Sequence, residues 1–432
     1  MTPLSNQLRG RPSTGGLVCF VLLVLLGVIA TAAWAEESAE QTPEQLPPGL
    51  RMALERIDKL LAQSPLDLDA IQHQYLVLFE NFPRREEGEK GIFALYQLLR
   101  QNKRIEQAYA VLMQIISTYQ DSDTIANPAE PRKPIAIAAT ANIELAHLYA
   151  TGMNNPYLAI DTLQRTLTRY AVAYVSVDAA DRKYFGSVNV IARLQLTDYY
   201  LTINATNQAT SSLLAIVSGC AGEHVRLADV ETLASVAAVR KLLQVLKAMP
   251  ASLPKKQRVV DTFAETAVER EARVWSLFVK AQLLADEGGQ ANSAGPIEEA
   301  MSALQEVLAH HALVMLVSED GEEPAGVRAL RLIADIAIKN LHNIERACAD
   351  LARYYQEFSK APGRRELAAY CLLYLAATED AQRHNPRAAY RYYMDVVDQF
   401  SDVPFYPRKP GSHATLKILA QQEADRVHQE MR

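Results

Sequence analysis

The sequence predicts an all-α fold, a chain of helix-turn-helix repeats with an irregular middle. The first observation behind this is a recurring frame. Ile143 to Tyr170 reads as a helix, a turn at Gly152-Met153-Asn154-Asn155-Pro156 and a second helix, and the frame returns twice without a gap. Leu145-Ala146 precede Ala159 by thirteen residues, as Ile333-Ala334 precede Ala347 and Leu375-Ala376 precede Ala389. Asn155, Asn343 and Asn385 stand four residues before each alanine, and Tyr170, Phe358 and Phe400 stand eleven after it. A looser copy supplies Ala108 and Tyr119. Self-similarity at fixed spacing marks repeat architecture, which specifies shape before chemistry. The second observation is composition: 432 residues, 49% hydrophobic, with only 18 Gly, favour helix and leave ample apolar surface for a core. The third is capping, since Asn155-Pro156 and Asn385-Pro386 combine an N-cap residue with Pro at the first helical position.

Within each unit the alanine is the small residue that lets two antiparallel helices approach. The same face continues through Leu163 and Leu167, Leu351 and Tyr355, Tyr393 and Val397, a stripe of helical period that the aromatic residue closes.

In chain order, Arg9 and Arg11 precede an apolar run from Leu17 to Ala30, and Ala33 and Ala35 fit a signal-peptidase site before Glu36. Residues 1–35 are therefore expected to be a signal peptide. The alternative is an uncleaved anchor, because Gly15 to Ala35 is long enough to span a bilayer. Either way the basic end stays cytoplasmic and the remainder is exported, which predicts a periplasmic location or inner-membrane anchoring facing the periplasm. Cys19 lies inside the apolar run with no lipobox before it. The whole chain carries net charge −6; residues 1–35 hold two Arg and no carboxylate, so the remainder carries −8. Nucleic acid needs a basic surface and is excluded as the expected partner. Cys220, Cys348 and Cys371 are odd in number and lack a CxxC, so no disulfide framework is expected. Buried apolar thiols are expected at Cys348 and Cys371, with a bridge between them as the alternative.

Residues 36–49 are acidic and Pro-bearing, the composition of a disordered tether. Helices are expected at 50–63, 67–81, 88–101 and 104–119, followed by a Pro-rich loop ending in Pro131-Arg132-Lys133-Pro134. The same tetrapeptide recurs as Pro407-Arg408-Lys409-Pro410. Tyr184 to Ile203 and Arg226 to Met249 read as long amphipathic helices around a shorter one at Ser211 to Val217, and Gln257 to Glu287 as a long helix or a kinked pair. Residues 287–296 and 318–326 read as flexible loops, and Ala300, Leu304 and Leu308 give a further stripe. Ser412 caps a final helix from His413 to about Gln429, whose polar outer face (Lys417, Gln421, Gln422, Asp425, His428) suits a terminal cap. The domains expected are 50–170 and 296–432 as regular repeats, with 171–295 as the irregular middle.

The repeat frame resembles the tetratricopeptide repeat (TPR). Ala53, Ile57, Leu60 and Pro65 fall at the spacing of that motif's second helix, and Leu145-Ala146 with Tyr149 match its first. The resemblance covers 49–170 and 325–432. It departs from the motif in lacking a first-helix Trp, in a turn one residue longer after Gly152 and in longer loops between repeats. The resemblance implies a right-handed superhelix whose groove binds a protein or peptide, with no catalytic residue, metal or cofactor. Exported proteins of this type serve envelope assembly, envelope maintenance or export.

Chemistry-bearing patterns are few. Leu112-Met113-Gln114-Ile115 resembles an element of lytic transglycosylases, but Val111 replaces its Gly and no Glu-Ser pair precedes it. This leaves a peptidoglycan-acting helical enzyme, with Glu106 among its acids, as the alternative function. Cys220 and His224 offer a thiol and an imidazole without a second pair to complete a zinc site. Adjacent His310 and His311 point to different helix faces. Tyrosines cluster near the C-terminus, and adjacent pairs cannot all face inward on one helix. The partner-binding residues expected are Tyr390 and Tyr392 with Arg387, Arg391, Arg408 and Lys409, the aromatic rings giving contact area with a polar tip.

Overall fold

The computed structural model describes residues 46–127, 130–179, 181–228, 230–409, 412 and 414–432. The expected signal peptide, Cys19 and residues 36–45 of the expected tether lie outside the described residues, while Pro48 and Gly49, expected as tether, already begin the first helix. The chain divides into two compact units between Arg104 and Ile105.

The unit ending at Arg104 contains α1 (Pro48–Leu61), α2 (Leu68–Asn81) and α3 (Glu86–Gln101). Asp67 caps α2 by accepting from the Ala70 amide at 3.0 Å, a cap of about 1 kcal/mol. Ile71, Tyr75, Leu78 and Phe79 of α2 are buried, between α1 on one side and α3 on the other. Gly91 permits the α2–α3 crossing: a Cβ there would stand 2.9 Å from a Leu78 methyl.

The unit from Ile105 begins with α4 (Ile105–Thr118). Helix pairs follow as α5 (Ile137–His147) with α6 (Pro156–Tyr170), α7 (Val188–Thr202) with α8 (Thr206–Gly219), and α9 (Ala234–Ala248) with α10 (Leu253–Thr266). Next come α11 (Arg270–Gln290) with α12 (Ala294–Glu306), α13 (Ala325–Lys339) with α14 (Ile344–Phe358), and α15 (Arg365–Ala381) with α16 (Pro386–Gln399). Helix α17 (Leu416–Glu430) closes the chain against α16. The fold class is the expected all-α, TPR-like chain of helix pairs, with 17 α-helices among the described residues. Each second helix packs between its own first helix and the next, as α6 does between α5 and α7. First helices also pack in series, α7 on α9, α9 on α11, α11 on α13 and α13 on α15.

The frame read from the sequence sits where the packing needs it. Ala159, Ala347 and Ala389 are fully buried, as are Leu163 and Leu351, and Tyr170, Phe358 and Phe400 close their stripes in the core. Asn155, Asn343 and Asn385 cap α6, α14 and α16 by accepting from the amides of Leu158, Arg346 and Ala388 at 3.1, 2.8 and 3.3 Å. The residue before each cap is left-handed: Asn154, His342 and His384 have φ of 50°, 50° and 51°. Asn204 and Asn292 repeat this at 58° and 48° before α8 and α12. Asn and His tolerate that backbone region better than most residues. The left-handed residue is therefore used six times among the described residues, Lys103 at 60° before α4 included, and in three of them a side-chain cap follows it, the three that the sequence shows.

The middle departs from the expectation. Where helix was expected from Tyr184 and from Arg226, the chain first makes strands. These are β1 (Thr124–Ile125), β2 (Ile135–Ala136), β3 (Tyr174–Ala179), β4 (Arg182–Ser187), β5 (His224–Leu227) and β6 (Val230–Leu233), joined in that order in one sheet. The physical reason is a period of two: Val175, Val177 and Ala179 are buried while Ser176 and Asp178 are not. Residues 318–326, expected as a loop, form the turn of a hairpin, β7 (Met315–Ser318) with β8 (Gly321–Pro324), and the start of α13. Residues 287–296 are mostly the end of α11 and the start of α12, and Gln257 to Glu287 is two helices broken at Ala267 to Glu269.

Every hairpin closes in the same way. The first residue of the following helix donates its amide to a carbonyl at the hairpin base: Ile137 to Asp123 at 3.2 Å, Val188 to Ala173, Ala234 to Glu223 and Ala325 to Val314 at 2.8 Å. Leu416 donates likewise to Val403 at 2.9 Å, so residues 403–416 repeat the closure before α17. That final helix starts at Leu416 rather than just after Ser412, because Ala414 is still paired with Phe405.

Candidate functional site

Three first helices and one hairpin build a charged cluster in the unit from Ile105. Helix α9 supplies Arg240, α11 supplies Glu271 and Trp275 one turn apart, and α13 supplies Arg328 and Arg331 one turn apart. The Trp275 ring is 6% exposed. The guanidinium carbons of Arg328 and Arg240 lie 4.5 and 5.3 Å from its centroid, within cation–π range. The β7–β8 hairpin brings in carboxylates. Glu323 is fully buried, and accepts from Arg328 Nε at 2.6 Å and from Arg331 Nη2 at 3.0 and 3.2 Å. Glu319, at the hairpin tip, stands 3.8 Å from Arg240 with 82% of its side chain exposed. Glu271 accepts from the Val317 amide at 3.3 Å, and its carboxylate stops short of a hydrogen bond with the Trp275 indole N–H.

Burial dominates the electrostatics here. It raises the pKa of Glu271 above 4.5 against the opposing effects of the Val317 amide, Arg240 and His224. It lowers that of Arg240, which nearby Glu319 only partly offsets. In Tyr374 of α15, burial pushes the phenol up while the Arg331 charge opposes it. Polar pairs extend along the other first helices: Lys241 meets Asp198 at 2.6 Å, and buried Glu144 accepts from Arg182 at 2.5 Å and from Tyr184 at 2.9 Å.

The residues singled out in the sequence lie elsewhere. Helix α16 carries Arg387, Tyr390, Arg391 and Tyr392, while Arg408 and Lys409 lie on the segment leading to α17. Tyr390 is half-buried, with its ring 5.5 Å from His428 of α17. Tyr392 is half-buried under the Arg391 guanidinium at 5.1 Å. The side chains of Arg387, Arg391, Arg408 and Lys409 are exposed. Arg408 exchanges both main-chain hydrogen bonds with Glu322 of β8, at 2.8 and 3.0 Å, so this segment lies along the hairpin. In the earlier Pro-Arg-Lys-Pro loop, Lys133 pairs with Glu130 at 2.5 Å and lies over the Tyr174 ring at 5.4 Å. Other C-terminal tyrosines are core: Tyr354, Tyr370 and Tyr393 are buried.

The thiol and imidazole face different partners. Cys220 is buried and accepts from Asn189 at 3.1 Å, and its pKa is pushed up to about 11 by burial. His224 is exposed on β5, 3.6 Å from Glu231. Cys348 and Cys371 are both free and buried rather than bridged. Glu106 is exposed on α4. Among the described residues no group of three or more His, Cys, Asp or Glu gathers into a metal site. The Arg240–Trp275–Arg328 cluster was missed in the sequence. Its one local signal is Arg-Ala-Leu-Arg at 328–331, four residues beyond the acidic Ser-Glu-Asp-Gly-Glu-Glu turn at 318–323.

No family model matches the chain, and no curated protein matches it. Among solved structures it is similar to a tetratricopeptide repeat protein from Parabacteroides merdae at 11% identity and TM-score 0.28, covering 88% of this chain and 100% of that one. It is also similar to yeast Tom70 at 10% identity and TM-score 0.31, covering 90% of this chain and 67% of that one. The fold assignment rests on the helix pairs, caps and turns themselves.

Proposed function

We propose that this chain is a non-enzymatic scaffold of the bacterial cell envelope, exported by its N-terminal segment, that binds a protein or peptide along its first helices. The observation that carries the reading is the cluster at Arg240, Trp275, Arg328 and Arg331, where an aromatic ring and guanidiniums from three helices meet. Residues of this type dominate the energetics of protein interfaces. The export signal at Arg9 to Ala35 supports the periplasmic face, with cleavage or retention of the segment deciding between a soluble and an anchored form. The exposed Arg387, Arg391, Arg408 and Lys409 beside half-buried Tyr390 and Tyr392 offer a second contact patch.

The test is photo-cross-linking in intact cells, with a benzophenone amino acid placed at Arg331, at Arg391 and, as a control, at exposed Arg258 of α10. Adducts to one envelope protein from the first two positions, absent from the control, are expected. Muropeptide adducts, or partners confined to the cytosol, would refute the scaffold reading.

A further inference from the structure

Hairpins recur where a second helix passes to the next first helix, and they pair side by side. The ladder β1 to β6 links three such connections, and the main chain of Arg408, in the segment before α17, adds to β8. Between β6 and β7 the ladder breaks. The two strands touch without pairing, and the intervening connection between α10 and α11, Ala267 to Glu269, carries no hairpin. Glu269 accepts from the Gly222 amide at 2.6 Å, and Arg270 donates to the His310 carbonyl at 2.8 Å. These two bonds tie the bare connection to the bases of the hairpins on either side of it.

The pairing register shows which groups face the break. In an antiparallel ladder the N–H and C=O of one residue point to the same side, and that side alternates along the strand. Glu322 turns both toward Arg408, so Val317 opposite it, and Met315 two residues earlier, turn theirs outward from β7. The Ala234 amide meets the Glu223 carbonyl, and the same alternation leaves Glu231 and Leu233 facing outward from β6. Among the described residues Met315, Glu231 and Leu233 take no main-chain partner on that side. The Val317 amide is held by a side chain instead, the half-buried carboxylate of Glu271 at 3.3 Å. Aliphatic side chains stand exposed at the same place: Val268 at 67%, Leu313 at 65% and Met315 at 42%. An open strand edge beside apolar surface is what an added strand covers.

We propose that the outer edge of β7 is the docking site for an extended segment of the partner protein, which adds a strand between β6 and β7 and takes the Val317 amide from Glu271. This rests on the scaffold reading above and names the form of its partner. The fold already shows the chemistry once, since Arg408 fills the opposite edge of the same hairpin with an extended segment. Met315 and Val317 together offer a strand four main-chain groups, of which Glu271 satisfies one. Paired strands lie about 4.8 Å apart. The entering segment therefore parts β6 from β7 and meets the free groups of Glu231 and Leu233 on its other side. Val268, Leu313 and Met315 then select apolar side chains at alternate positions of that segment.

The probe is a short fluorescein-labelled peptide of alternating Thr and Val. Its control carries N-methyl groups on adjacent central residues, so that neither of its edges can donate there. Each is titrated into the full chain and followed by fluorescence anisotropy, and saturable binding of the unmethylated peptide alone is expected. Val317→Pro removes the outward amide and spares the β7–β8 pairs, because that amide points away from β8. It should weaken binding about tenfold, with far-ultraviolet circular dichroism unchanged. Glu271→Ala removes the competing carboxylate and should tighten binding about threefold. Hydrogen exchange of the parent chain, which needs no variant to fold, should show the Met315 and Val317 amides slowed by the peptide. The proposal is overturned if the peptide does not bind, if Val317→Pro binds as the parent does, or if Glu271→Ala weakens binding. It is equally overturned if the peptide slows amides elsewhere and not these, or if Met315 and Leu233 exchange as slowly as the ladder without it, β6 and β7 then pairing directly. The cellular cross-linking result stands independently: a partner captured at Arg331 while the strand peptide fails keeps the scaffold and removes this site.

Discussion

Two glutamates four residues apart on one hairpin should differ sharply in what they contribute to stability. Glu323 is fully buried and accepts three hydrogen bonds from Arg328 and Arg331, whose side chains are 17% and 34% exposed. Glu323→Gln keeps the shape and one acceptor but removes the charge. Charge-assisted hydrogen bonds are about twice as strong as neutral ones, so each arginine loses about 1 kcal/mol. The partial exposure of Arg331 softens its share, and the released cost of burying a carboxylate offsets some of the loss. A net destabilisation of at most about 2 kcal/mol follows, below the roughly 3–5 kcal/mol seen when a buried pair is broken outright. Glu319→Gln, at 3.8 Å and 82% exposed, should stay within about 0.5 kcal/mol of the parent. In thermal melts followed at 222 nm, Glu323→Gln should lower the midpoint by about 4 °C and Glu319→Gln by less than about 1 °C. Equal shifts in the two variants, or no shift in Glu323→Gln, would refute the view that hydrogen-bonded burial separates them.

Burial raises the folded pKa of Glu271 above its ordinary 4.5, so ionised Glu271 opposes folding at neutral pH. Because the folded state holds this proton more tightly, the penalty is full above the folded pKa and disappears as pH falls to the unfolded value. Glu271→Gln should therefore raise the melting midpoint at pH 7 and lose that advantage by about pH 4, measured as midpoints across the range. Burial likewise holds all three described thiols protonated, with Cys220 and Cys348 pushed up to about 11 and Cys371 well above its usual 9. A maleimide at pH 7.5 should leave these cysteines unlabelled in the folded chain and label all of them in guanidinium, as mass spectrometry will read. Labelling of Cys348 under folding conditions would contradict its buried placement.

The helix pairs were legible because their determinants are local. An alanine at a crossing, an asparagine four residues earlier and a ring eleven later lie within one helical hairpin, and the structure uses each as read. The strands were not legible for a physical reason of scale. Val175, Val177 and Ala179 alternate over too short a span to outweigh the helix that begins at Val188, and the β3–β4 hairpin is held on either side by segments far along the chain, Ile135 against Tyr174 and Leu227 against Tyr184. The charged cluster was hidden still further. Arg240, Trp275 and Arg328 come from three helices, and nothing near any of them in sequence announces the other two. The Tyr390 and Tyr392 pattern, by contrast, is visible in sequence because both rings share one helix, yet their half-buried state depends on α17, whose His428 reaches Tyr390.

In a plain stack of helix pairs each repeat touches only its neighbours, so ends fray and the array melts piecewise. The sheet β1 to β6 changes that. Its parallel step from Ile135 to Tyr174 and its antiparallel step from Tyr184 to Leu227 stitch three successive connections into one ladder. Opening any one connection breaks backbone hydrogen bonds held by another, which couples units that helix packing alone would leave nearly independent. The stretch from Thr124 to Leu233 should thus behave as a single cooperative block in hydrogen exchange, its amides sharing one opening free energy. The pairs after Phe358, which carry no hairpin between α14 and α15, should open at lower cost.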